Sequence, residues 1–382
     1  MPLDDRAPEI GRDALDPSGP PPAWMQWFPA RRAALGLRPS AAPSLLFVLA
    51  GVVLGPGGVG ALNANALRYF DPVISVALAT LGIFVGLGIG TMRGAVGMRL
   101  LMAATTQALL TIAVVSAGLY TLVTRWGVPV PIDVPLFAAS VGICSCASAA
   151  ARSPGDSSQA RIARRIGDLD DLPLIMLGTI AVLLAAGQPV VRSLIATALA
   201  ASVTGLAGWL LFERARTEAE RGVFVTGTIL LLAGISAYVD SSPLLSGFVA
   251  AVFWHRASGQ ADRIIAGDIA KVQHPSVALL LVVAGASIEW NLALLWIAAP
   301  LILLRLIGKL VGSLAAARMS HVASGLLAAT LVPPGVLGIA LALNLQQVLG
   351  PAGTLLLSGV TVAAVISELL SAVLPVDVEG AA

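Results

Sequence analysis

Residues 157–187 read SSQARIARRIGDLDDLPLIMLGTIAVLLAAG, arginine-rich before Gly167 and almost wholly apolar from Leu172 onward. Asp156, Ser157 and Ser158 offer an N-cap, and the run that follows can carry one helix for about 30 residues. At about 1.5 Å of rise per residue, Asp170 and Asp171 then lie ~20 Å in from the start, inside a bilayer. Two adjacent carboxylates at that depth need a partner, a proton or a bound cation. The alternative is an apolar helix that simply begins at Asp168, with the acids capping it at the membrane surface. The rest of the chain weighs between the two.

Hydrophobic residues fill 57% of the 382 positions and charged residues only 12%, the composition of an all-α polytopic membrane protein. A net charge of +2 is too small to point to nucleic acid. No nucleophilic triad, phosphate loop or zinc spacing appears, so nothing supports an enzyme, and no cofactor is expected. Cys144 and Cys146 are the only cysteines. At i,i+2 in a helical stretch they point apart and read as buried thiols, with a soft-metal Cys-x-Cys site as the outsider.

Residues 1–42 are polar and proline-rich, with PSGPPP at 17–22; they read as a disordered cytoplasmic segment in which 24–36 could lie along the membrane surface. No secretory signal precedes the first apolar run. Twelve apolar segments follow, at about 43–62, 72–91, 98–123, 134–151, 157–187, 190–211, 223–239, 243–256, 275–288, 293–317, 322–346 and 353–374, and a short cytoplasmic tail closes the chain at 375–382. With the N-terminus in the cytoplasm, the inner loops and helix ends near the membrane carry sixteen Lys or Arg and the outer ones three, Arg68, Arg125 and Arg192. That bias predicts twelve spans with both termini inside.

The same bookkeeping isolates the buried charges. Beyond the distal Arg6 and Arg12, every Lys or Arg sits in a loop or at a helix end except Arg305 and Lys309, and among the acids only Asp170, Asp171 and Glu368 fall well within an apolar segment. Charges buried together in a hydrophobic protein imply pairing. Arg305 stands one turn from Lys309 on the same face and reads as a structural charge. Glu368, about 1.5 turns from the end of the last helix, is expected to snorkel.

Two segments look interrupted. The fourth packs Ser140, Gly142, Ser145 and Ser148 into its middle, and the eleventh carries Pro333, Pro334 and Gly335 at its centre. A double proline removes two N–H donors and forces a break. Unwound backbone at membrane depth survives where it lines a cavity or is packed by protein. Segments 3–5 and 10–12 start on opposite sides of the membrane, the layout of an inverted repeat with crossed broken helices and a midplane ion site.

At this point the residues resemble a known family. Residues 46–60 (LFVLAGVVLGPGGVG) are similar to the glycine-rich signature of the monovalent cation:proton antiporters, including the potassium-efflux-type members. Residues 81–88 resemble the family's next helix, with Gly88 where an acid is common. Asp170-Asp171 resembles the paired aspartates of the electrogenic sodium/proton branch, 308–312 (GKLVG) the family's G-K/R-x-x-G, and Pro334-Gly335 its broken eleventh helix. Stretches 246–252 and 282–288 also match. The resemblance runs over 43–374; the family's usual first helix has no counterpart before it, and Cys144 and Cys146 replace polar residues usual around the fourth-helix break.

The resemblance implies a homodimeric transporter in a bacterial inner membrane that moves protons one way and Na⁺, Li⁺ or K⁺ the other by alternating access. It implies a core bundle of 98–187 and 293–374 and a scaffold and dimer part of 43–91 and 190–288. Asp171 would carry the cation or the proton, and Asp170 would partner Lys309. A carboxylate removed from water can hold either a proton or a cation, and competition for one site is sufficient for exchange. A buried lysine can also release its proton whereas an arginine cannot, so Lys309 is expected to be an ion-pair partner or a second proton carrier. Ser145, Ser148, Pro334 and Gly335, with Arg305 and Glu368, are expected to support the site. The leading alternative is a sodium-coupled organic-anion transporter on a related inverted-repeat fold.

Overall fold

The computed structural model describes residues 42–89, 95–149, 157–257 and 260–373. The N-terminal segment with its surface stretch at 24–36, and the tail at 375–382, lie outside the described residues. Among the described residues there are fifteen α-helices and no strand. In chain order they are α1 (Ala42–Leu54), α2 (Ala64–Tyr69), α3 (Asp71–Ile89), α4 (Ala95–Trp126), α5 (Val134–Cys144), α6 (Ser158–Leu169), α7 (Asp171–Ala185), α8 (Val190–Arg214), α9 (Glu218–Tyr238) and α10 (Pro243–Ala257). Then come α11 (Gln260–Ala286), α12 (Leu292–Ser320), α13 (Ser324–Leu331), α14 (Val336–Leu349), a 3₁₀ turn (Gly350–Gly353) and α15 (Thr354–Val373).

Among the described residues six stretches are long and apolar enough to cross a membrane: α3, α4, α8, α9, α12, and the run across α14 and α15. Shorter apolar helices, α1, α5 and the end of α11, pack among them. The packing has the polarity of a membrane protein. On α8, Ile195, Leu199, Val203 and Leu210 are exposed while Ser193, Thr197, Ala201, Thr204, Gly205 and Gly208 face inward. In lipid the apolar side chains go outward, and small residues let the backbones approach.

That rule is carried furthest where the glycine-bearing stretches meet. A Cβ on Gly82 would lie 2.1 Å from Leu244 O, and one on Gly247 2.1 Å from Ala79 O, so α3 and α10 touch backbone to backbone. Gly51 and Gly285 do the same for α1 and α11, at 2.1 Å from Val282 O and 2.2 Å from Val48 O. Four of the stretches singled out in the sequence therefore pair off, 46–60 with 282–288 and 81–88 with 246–252.

The fifth segment departs from the sequence reading. It is two helices meeting at Asp170, not one. Pro173 has no N–H to give the Leu169 carbonyl, so the i→i−4 ladder fails there and α7 restarts with Asp171 in its first turn. The apolar helix thus begins at the aspartates, as in the alternative reading, but not at the surface of the protein: Asp170 is fully buried, and α6 precedes it, capped by Ser157 Oγ. The first apolar segment ends as a helix at Leu54, ahead of the turn at Gly55–Gly60, and the ninth extends back to Gln260.

Candidate functional site

α5 ends at Cys144 and the chain runs unwound to Ala149; α13 ends at Leu331 and the chain runs unwound through Val332, Pro333, Pro334 and Gly335 to α14. The two unwound stretches lie side by side and antiparallel. A bridge joins Ser148 to Pro334, with Ala149 N–H donating to Pro333 O at 3.0 Å and Gly335 N–H to Ala147 O at 3.1 Å. Glycine makes the approach possible. A Cβ on Gly338 would stand 2.1 Å from Cys144 O, and one on Gly335 2.8 Å from Ser148 O.

Breaking two helices orphans the carbonyls of their last turns, and each buried carbonyl needs a donor. Two cationic side chains of α12 bring donors to four carbonyls at and just beyond these ends. Arg305 donates from Nε to Ser145 O at 3.1 Å, from Nη2 to Ala147 O at 3.1 Å, and from Nη1 to Val332 O at 2.7 Å. Lys309 Nζ donates to Cys146 O. Ser148 Oγ lies 3.1 Å from Leu331 O. The C-termini of α5 and α13 both end here, so two helix dipoles present negative ends to the two cations.

Lys309 also closes an ion pair. Its Nζ is 3.1 Å from Asp170 Oδ2 and 2.6 Å from Ser148 Oγ, which in turn donates to Asp170 Oδ2 at 2.5 Å. Lys309 and Asp170 are both fully buried. The break at Asp170 turns this carboxylate toward the crossing, and Gly308 and Gly312 seat α12 closely on α4 around Lys309, against Thr111 and Gln107.

Asp171 is placed differently. It begins α7, where the helix N-terminus favours a negative charge. It is partly exposed, and its Oδ1 is buried with no hydrogen-bond partner among the described residues. Asp170 Oδ1 is likewise buried without a partner, so the two aspartates differ in the rest: Asp170 Oδ2 is engaged by Lys309 and Ser148, and no described group bonds to the Asp171 side chain. A buried oxygen without a partner accepts a proton or faces a cation.

The supporting residues divide. Ser148, Pro334 and Gly335 form the crossing. Ser145 contributes its carbonyl, while its hydroxyl turns back to Val141 O at 2.7 Å. Arg305, read from the sequence as a structural charge, spans both breaks. Glu368 does not snorkel: it is 6% exposed and accepts a hydrogen bond from Ser44 Oγ at 2.8 Å. It lines a cavity of about 20 Å³ that reaches Pro334 and Gly335, because α1 packs over the end of α15. Cys144 and Cys146 are free and buried. Sequence reasoning missed the carbonyls of Ala147, Cys146 and Val332, since main-chain ligands leave no residue-type signal.

No protein-family model matches the chain, and no curated protein sequence matches it. Among solved structures it is similar to the sodium/proton antiporter MjNhaP1 from Methanocaldococcus jannaschii at pH 8, with a TM-score of 0.60 and 17% identity. The similarity covers 86% of this chain and 89% of that one. At that identity the two share a fold.

Proposed function

We propose that this chain is a secondary active transporter that exchanges a monovalent cation, Na⁺, Li⁺ or K⁺, for protons by alternating access. The observation that carries the reading is the contrast between the two aspartates: each has a buried Oδ1 unmatched among the described residues, but Asp170 is held through Oδ2 by Lys309 and Ser148, whereas no described group bonds to the Asp171 side chain. Asp171 is the exchange site, taking a proton in one half of the cycle and the cation in the other. Lys309 is the ion-pair partner of Asp170 and a second proton carrier. Four features support the reading: buried charges at two paired helix breaks, the glycine-packed helices beside them, the loop-charge asymmetry, and the fold of a solved protein described as a sodium/proton antiporter.

In this reading the twelve apolar segments are twelve spans, with both termini in the cytoplasm of a bacterium. Segments 3–5 and 10–12 are the two halves of an inverted repeat whose broken members cross at Ser148 and Pro334. Residues 98–187 and 293–374 form the moving core, and 43–91 with 190–288 the scaffold and homodimer part. The cavities at the crossing, about 10 and 20 Å³, admit a water or a bare ion but no organic anion. This speaks against the anion-transporter reading. The test is a dye-based proton-flux assay in proteoliposomes with Na⁺, Li⁺ and K⁺ added in turn. Proton movement driven by one of these ions, without any organic solute, is the expected result; none with any of the three would refute the reading.

A further inference from the structure

Arg305 is 4% exposed, and its polar partners among the described residues are main-chain carbonyls alone. A buried guanidinium normally sits against a carboxylate. Here three carbonyls from two separate breaks, Ser145 O, Ala147 O and Val332 O, converge on it at 2.7–3.1 Å. They stand at the C-terminal ends of α5 and α13, where the helix dipoles add negative potential. Unwound carbonyls and helix C-termini are the groups with which discontinuous-helix transporters bind alkali cations. A cavity of about 10 Å³, lined by Cys144, Ser145, Ala147, Pro334 and Gly335, adjoins the guanidinium and has room for a single water. The crossing is therefore built as a cation site, and the cation in it is covalently attached to α12.

We propose that Arg305 is a tethered cation that fills this carbonyl site, and that a free small monovalent cation binds there once the side chain is removed. The consequence for transport rests on the exchange reading above: with Arg305 in place the site is closed to the transported ion, so Asp171 is the one place at which a cation and a proton compete. Removing the guanidinium leaves Ser145 O and Val332 O without a donor among the described residues and Ala147 O with the Gly335 N–H alone. A guanidinium ion from solution matches them in shape, and a sodium ion matches them in charge.

The test uses the full chain in detergent, comparing wild type with Arg305→Ala in equal millimolar concentrations of guanidinium, sodium and choline chlorides. In choline, Arg305→Ala is expected to melt several degrees below wild type. Guanidinium, sodium or both should recover at least half of that loss while leaving wild type unmoved. If Arg305→Ala melts like wild type, or neither ion raises its melting more than it raises that of wild type, the proposal is overturned. Should the alanine variant fail to fold, Arg305→Gln is measured in the same way and read by the same outcomes. If neither variant folds even with guanidinium present throughout purification, the proposal is also overturned. Melting is independent of flux. Recovery in the variant together with no exchange by wild type in vesicles would leave the carbonyl site standing and remove the exchange reading instead.

Discussion

Between α3 and α10 the contact is made by absent side chains alone, Gly82 under Leu244 O and Gly247 under Ala79 O, whereas at the ends of α5 and α13 a backbone bridge and close glycines are joined by two cations from α12, Arg305 reaching carbonyls of both breaks and Lys309 reaching Cys146 O. The reason lies in the backbone. An intact helix satisfies its own polar groups, so two of them need only come close, and in lipid close approach of small residues drives association. An interrupted helix leaves buried carbonyls with no helical donor, and donors must be brought to them. Breaking α5 and α13 thus calls for buried cations, and a buried cation calls for an acid. Asp170 answers Lys309; Arg305 is met by carbonyls instead.

The glycine contact offers the largest expected effect. Gly247→Leu drives a side chain into the backbone of α3, where the opposing atom is a carbonyl oxygen that cannot rotate aside. Folded, monodisperse protein should be lost on solubilisation, measured by size-exclusion chromatography. Wild-type yield and melting would break the comparison at its apolar end.

Next in size is the effect of Asp171→Asn on function. The amide has nearly the shape of the carboxylate but cannot trade a proton for a cation, so exchange in vesicles should fall to background. Melting should stay near that of wild type, because no described group bonds to the buried oxygen. Exchange at the normal rate would move the site elsewhere, with Glu368 the next buried acid to test.

Much of this contrast was legible in the sequence, and unevenly so. Pro333, Pro334 and Gly335 announce one break by chemistry that no helix tolerates; the glycine stretches announce close packing, though not which stretch meets which. The interruption at Asp170 had a signal that a 30-residue helix reading overrides, since Pro173 suits the first turn of a helix better than its middle. Glu368 was placed by its distance from a helix end, which says nothing of Ser44, 324 residues away, closing over it. The carbonyl partners of Arg305 and Lys309 carry no residue-type signal at all, and they appear only when the two breaks are side by side.

At the polar end, Lys309→Ala leaves Asp170 a buried carboxylate without its cation, and losing one partner of such a pair is expected to lower stability by about 3–5 kcal/mol. Lys309→Arg should regain part of that loss, because charge returns in a larger side chain that the close seat of α12 on α4 accommodates poorly. The arginine variant also separates two roles. A lysine that carries a proton makes the wild type move one more proton per cation than the arginine variant, which then loses its response to voltage. Equal reversal potentials for the two proteins in vesicles would leave Lys309 as a strut alone.

Ser148→Ala is the smallest change and the finest test of how the crossing is held. The hydroxyl accepts from Lys309 Nζ and donates to Asp170 Oδ2, with Leu331 O also within reach. Without it Lys309 keeps Asp170 and Cys146 O, so the ion pair survives and only the hydrogen bonds made through the hydroxyl are lost. The expected loss is about 1–3 kcal/mol, less than for Lys309→Ala, with exchange retained because Asp171 is untouched. Combining the two substitutions sharpens the comparison. At the glycine contacts, substitutions in separate helix pairs, such as Gly247→Ala and Gly51→Ala, should add. At the crossing, Ser148→Ala should lower stability by less in the Lys309→Ala background than in wild type, since the hydroxyl then has one charge left to bond. Strict additivity at the crossing would mean that Lys309 and Asp170 hold the two breaks without Ser148, and that the serine is packing rather than part of the network.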